Sequence, residues 1–232
     1  MVQTLTPAGP PQEWLDDMRI IWDEAAELVD YRLVYRRVQD MIRRNPRLPR
    51  DSLMYNWVNA SFAYATSMAV RRLVDPSKGT ISLARLLKRI AKHPNGITRA
   101  WFVNTSDKRS KEVLPGRDRS LADRAFDELT GTPGPHTSAV VVKADHDHLC
   151  NGGATIQRYT HEYLAHRSAR PTTWLVTYPD LNAAIDAVTQ IADRYARLLK
   201  VGVVVETPLP EDFQAVFQIP WDPEAAARMT TI

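Results

Sequence analysis

Apolar residues recur every three or four positions along most of the chain, the period of a helix with one buried face. Trp14, Met18, Ile21, Trp22, Ala25, Val29, Leu33, Val38, Met41 and Ile42 trace the first such stripe. They predict a long helix over 12–44, with room for one break. NPRLPRDS ends it, because proline lacks the amide that a helix interior needs. Asp51 or Ser52 offers an N-cap oxygen to a second helix, whose stripe is Leu53, Trp57, Val58, Ser61, Phe62, Ala65, Met68, Ala69 and Leu73. The tryptophans Trp14, Trp22 and Trp57 lie on these stripes and read as core rather than as stacking platforms. DPSKGT breaks the chain again, and Leu83, Leu86, Leu87 and Ile90 mark a short helix from about Ser82.

Residues 94–119 are polar and aperiodic, and NTSDKRSKEVLPGRDRS reads as an exposed loop. A short helix over 120–130 precedes TGTPGPHT. In SAVVVKADHDHLC the three valines favour a strand locally, while length and flanks favour a helix. Asn151, Gly152 and Gly153 read as a kink or helix end, and a further helix follows from about Ala154 to Arg167. Thr177 and Asp180 have the spacing of a capping pair, with Asp in place of the usual Glu. Leu181, Ala184, Ile185, Val188, Ile191, Ala192, Tyr195, Leu198 and Leu199 form the cleanest stripe of all. Phe213, Ala215, Phe217, Ile219 and Trp221 alternate and read as an extended or strand-like strap. There is no internal repeat and no strand–helix rhythm. The pattern predicts an all-α fold: an antiparallel bundle of four to five main helices, short extra helices and an extended C-terminal strap. Residues 12–203 form the domain, 1–11 a disordered tail, and 204–232 the strap and tail.

Composition narrows this picture. The 232 residues are 44% hydrophobic and 25% charged, a balance suited to one globular domain with a real core. The single cysteine, Cys150, excludes an intrachain disulfide and fits a reducing compartment. No run approaches the roughly 20 apolar residues of a membrane span, and the N-terminus lacks the features of a signal peptide. A cytoplasmic protein is expected. Net charge is only +3, but it is unevenly placed. Residues 1–30 hold seven acids and one base, whereas residues 31–50 hold seven arginines against Asp40. Residues 71–111 hold eleven Lys/Arg against Asp75 and Asp107. Such blocks either track phosphates or lie on solvated helix faces and helix C-termini.

Candidate chemistry concentrates in TIQRYTHEYLAHRSARP, residues 155–171. Glu162 and His166 are four apart, so on an α-helix the carboxylate could orient the imidazole. The same pair also serves as an ordinary surface contact near a helix end. His161 is five before His166 and points elsewhere on an ideal α-helix. Arg158 precedes His166 by eight, about 80° in rotation and about 12 Å in rise. Arg167 is a second cation. HEYLAH is not the zinc-protease pattern, whose histidines are four apart. In DHDHLC, residues 145–150, the alternation of His146, His148 and Cys150 would converge from a strand but splays from a helix. No second cluster has zinc spacing. A solvated polar helix end is the reading, with no metal and no cofactor. Arg72 and Asp75, three apart, read as a local ion pair at a helix end.

Two stretches together resemble a known family. AVRRLVDPSKGTISLARLLKRI, residues 69–90, is similar to the Arg-Leu-x-Asp, turn, Ser-Leu-x-x-Leu-Leu signature of the abortive-infection U-like branch of the HEPN superfamily. Here the matching residues are Arg72, Leu73, Val74 and Asp75, then Ser82, Leu83, Leu86 and Leu87. RYTHEYLAHRSARPTTWLVTYPDLNAAID, residues 158–186, resembles the same branch where a helix ending in Ala-His precedes a connector and another helix. The resemblance implies a helical bundle that forms a homodimer. It also implies, in many members, a metal-independent ribonuclease of antiphage and toxin–antitoxin systems. The motif is an Arg followed by a polar residue, with a His a few positions on. By this resemblance His166 is the acid–base residue and Arg158 or Arg167 the phosphate cation, with Glu162 and His161 beside them. Thr160 stands where the motif Arg is expected. The alternative is a non-catalytic HEPN module that binds a partner such as a nucleotidyltransferase-type antitoxin.

Overall fold

A computed structural model describes residues 9–45, 51–113, 119–165, 176–203, 213 and 215–218. Helix α1 spans Gln12–Arg44 unbroken. Helix α2 spans Leu53–Val74, and Ser52, not Asp51, caps it by accepting from the Tyr55 amide. Helix α3 spans Leu83–Lys92 behind the Ser82 cap, and Leu83, Leu86, Leu87 and Ile90 are fully buried as its stripe predicts. Helix α7 spans Tyr178–Leu198. The Thr177 hydroxyl accepts from the Asp180 amide, and the Asp180 carboxylate accepts from the Thr177 amide at 2.9 Å. These bonds to the charged form hold the Asp180 carboxyl below its ordinary range.

Residue pairs across the helices fix their directions. Glu24–Arg72, Tyr35–Asn59 and Gln39–Tyr55 run α1 antiparallel to α2. Helix α6, Ala139–Tyr159, runs antiparallel to α7, with Asp145 bound to Arg194 and Tyr195, and Gly152 against Ala187. Arg32–Asp186 and Tyr35–Tyr178 do the same for α1 and α7. The four long helices α1, α2, α6 and α7 make the antiparallel all-α bundle. Among the described residues there is no strand, only an isolated bridge between Thr98 and His136.

Several expectations are corrected. The polar run after residue 98 is a helix, α4, Arg99–Val113, followed by α5, Arg119–Thr130. Its apolar content is small but placed: Phe102 and Val103 are buried, and Phe102 packs on Phe126 of α5. Arg99 ties the pair by bonding the Gly134 carbonyl at 2.9 Å and the Asp127 carboxylate. In the C-terminal segment, Ala215–Gln218 form one helical turn, α8, rather than a strand. The rest of the expected strap, 204–212, 214 and 219–232, lies outside the described residues, as do residues 1–8 of the tail. Gly9 and Pro10 already pack on the body: Pro10 is buried and Gly9 sits against Trp101.

Gly152 and Gly153 do not end a helix; α6 runs through them. A Cβ on Gly152 would lie 2.6 Å from the Ala187 Cβ, and one on Gly153 would lie 2.7 Å from a Val74 methyl. The glycines let α6 wedge between α2 and α7. Gly152→Val is expected to cost about 1–3 kcal/mol by overpacking, which exceeds the few tenths, about 0.4 kcal/mol, gained by removing a helical glycine. Thermal denaturation should show a midpoint several degrees lower, and an unchanged midpoint would mean that these helices are not in such close contact.

Arg72 and Asp75 do not form a local pair. Arg72 binds Glu24 across the α1–α2 contact. The Asp75 carboxylate accepts from the Ser77 amide at 2.9 Å, and its carbonyl accepts from the Ser82 hydroxyl. Ser82 in turn accepts from the Arg85 amide at 3.1 Å. The two-part signature is therefore a joint: it pins α2 to α1, turns the chain and starts α3.

Candidate active site

Helix α6 is held by α7 and α2 before it reaches the candidate residues. Arg194 donates to Asp145 at 2.6 Å and Tyr195 donates to the same carboxylate at 2.9 Å. Burial and the neighbouring carboxylate push the Tyr195 hydroxyl far above its ordinary pKa, so it acts as a fixed donor. Gly152 and Gly153 set the helix depth, and Ile156 is fully buried.

Beyond Tyr159 the backbone changes register, and Thr160–Ala165 form a π-helical turn. Thr160 is fully buried and its hydroxyl donates to the Gln157 carbonyl at 2.9 Å. Position 160, where the motif Arg is expected, thus faces the interior and is satisfied by the backbone. The cation is found two residues earlier. Arg158 is exposed and its Nε donates to Glu162 at 3.0 Å, so Glu162 holds the guanidinium. Tyr159 stacks on Tyr163 with ring centroids 5.6 Å apart, and His161 is exposed. Of the residues singled out in the sequence, the structure joins Arg158 to Glu162 and carries His161 on the same turn. His166 and Arg167 lie outside the described residues. The π register bears on the earlier geometry, because hydrogen bonds there join residues five apart.

The DHDHLC stretch lies within α6 rather than at a helix end. Asp145 is committed to Arg194 and Tyr195; His146 lies 3.2 Å from Asp147 and 3.6 Å from the Cys150 sulfur. Burial pushes the Cys150 thiol up. Among the described residues no group of three His, Cys, Asp or Glu side chains could hold a metal. No helix among them is long and apolar enough to cross a membrane.

Sequence reading missed a groove. The buried face of α1 passes from Met18, Ile21, Ala25 and Leu28 to polar residues at Arg32, and α7 stops opposite it at Tyr178. Past that point Tyr35, Arg36, Gln39, Asp40 and Arg43 line an open groove of about 450 Å³. Tyr35, Phe62 and Tyr178 form a three-ring cluster, with the Tyr35 centroid 3.9 Å from that of Phe62 and 5.4 Å from that of Tyr178, and Gln39 bonds Asn59 and Tyr55. Burial pushes the Tyr35 hydroxyl strongly up, keeping it neutral. The groove opens beside Tyr178, the first residue of α7. The arginine block of residues 31–50 was the available signal. A second groove, about 570 Å³, is lined by Asp23, Glu24, Glu27 and Asp75 against Arg72, a sign of charge unsuited to a polyanion.

The family model described as AbiU2, a HEPN family, matches residues 13–218. The chain belongs to the AbiU2 family of HEPN proteins. The match covers both signature stretches, the joint at Arg72–Ser82 and the π turn with the residues after it, so the resemblance read from the sequence holds. No curated protein and no solved structure matches the chain.

Proposed function

We propose that this AbiU2-family HEPN protein is a metal-independent endoribonuclease of an antiphage or toxin–antitoxin system, working in the cytoplasm as a homodimer. The observation that carries the reading is the exposed Arg158, held by Glu162 at 3.0 Å on a π turn that leads in sequence to His166. Cleavage by the ribose 2′-OH needs a base for that hydroxyl, an acid for the leaving 5′-oxygen and a cation on the phosphate. Histidine titrates near neutrality and can do both proton transfers. Arginine offers a fork that fits phosphate oxygens. His166 takes the proton-transfer role with His161 as a second imidazole five residues away, and Arg158 or Arg167 takes the phosphate. Arg36 in the groove at the α7 N-terminus, beside the Arg43–Asp40 pair, adds a further cation that a polyanion could meet.

Purified protein incubated with cellular RNA in excess EDTA should cut it. If RNA stays intact and a nucleotidyltransferase-type partner protects Arg158 and His161 from chemical labelling, the non-catalytic module is the right description.

A further inference from the structure

The N-terminal half of α2 has an exposed face without charge. From Leu53 to Val70 there is no Asp, Glu, Lys, Arg or His. Yet Leu53 is 86% exposed, Trp57 61% and Tyr64 53%. The apolar stripe read from the sequence is real, but at Trp57 it points out of the fold. The reason is geometric: Tyr55, Asn59 and Phe62 face α1 and Tyr35, and Leu53, Trp57, Ala60 and Tyr64 lie on the opposite side of the helix. A solvated helix face ordinarily carries charge; an aromatic face without it has the composition of an interface core.

We infer that this face is a seam that pairs with the same face of a second copy, antiparallel across a two-fold axis. This rests on the homodimer in the reading above. Leu53, Trp57, Ala60 and Tyr64 are spaced four, three and four, the spacing of a knobs-into-holes seam. Laid antiparallel on itself, the stripe sets each Trp57 over the partner copy's Ala60 and each Leu53 against its Tyr64. Large meets small twice, and every contact occurs in both directions, as a two-fold interface requires. An uncharged face meets its copy without like-charge repulsion. The arginines of α1 lie beyond the helix, on the order of 10 Å away and near the screening length at ordinary salt. The exposed side chains of this face, with Met54, Asn56 and Ala65, offer several hundred Å², approaching the roughly 800 Å² per partner of a standard interface. RNA or an anionic membrane would need cations, and this face has none.

Light scattering at tens of micromolar tests the seam. Wild type should be a dimer. Leu53→Lys and Tyr64→Glu should each run at half that mass with unchanged circular dichroism, because both side chains are exposed in the protomer. Val140→Glu, at another exposed apolar residue, should leave the dimer intact. Mixing the Leu53→Lys and Tyr64→Glu proteins should restore the dimer mass, because the introduced ammonium of one copy then meets the introduced carboxylate of the other. A monomeric wild type would overturn both the homodimer and the seam. A Leu53→Lys or Tyr64→Glu protein that stays dimeric would overturn the seam alone, and two monomeric variants that fail to associate when mixed would overturn the antiparallel register.

Discussion

His166→Ala is expected to abolish RNA cleavage in EDTA, with a loss of about 10²–10⁴ in rate, the usual cost of removing a positioned proton-transfer group. His161 is the one other imidazole in the sequence 155–171, so rescue by a neighbour would have to come from there. His161→Ala should cost less than His166→Ala, and the double variant should fall below the His166→Ala level by whatever residual rate His161 supplies. Glu162→Gln should also cost less, because it loosens Arg158 without removing it. The melting curve of His161→Ala should not move, since His161 is exposed and its loss opens no cavity. An alanine variant at position 166 that cuts as fast as its parent would remove His166 from the mechanism.

Leu86→Ala should have the largest effect on stability, about 2–5 kcal/mol, from lost transfer free energy and the cavity left behind. Leu86 is fully buried in α3, a helix that packs on α6, α1 and α2. For a chain of this size each kcal/mol lowers Tm by roughly 2–4 °C. Arg72→Ala touches the same family signature but should cost under about 1 kcal/mol, because its pair with Glu24 is half exposed. Chemical denaturation of the two variants separates these cases. Comparable losses would mean that Arg72 is part of the core rather than a surface tie.

The fold was legible where burial and periodicity agree. Helices α3 and α7 bury the stripes that define them, and the Thr177–Asp180 cap lies where its spacing places it. Elsewhere tertiary context decided. Helix α4 is polar enough to read as a loop, and its structure rests on Phe102, Val103 and the bonds of Arg99 to distant Gly134 and Asp127. Gly152 reads as a helix breaker in isolation, but its purpose is the close approach of Ala187, which no local pattern encodes. Trp57 has the spacing of a core residue; what sequence does not reveal is that α1 meets the opposite side of α2, at Tyr55, Asn59 and Phe62. At the site, the crowding of Arg158, His161 and Glu162 was visible. The π turn was not, and neither was the burial of Thr160 at its start, where the hydroxyl bonds the Gln157 carbonyl.

The central claim, that the turn from Arg158 onward directs metal-independent transesterification of RNA, is tested most directly by the ends of the fragments. Wild-type protein in excess EDTA should leave 2′,3′-cyclic phosphates and 5′-hydroxyls. Fragments with 3′-hydroxyls and 5′-phosphates that form only when magnesium is restored would contradict it.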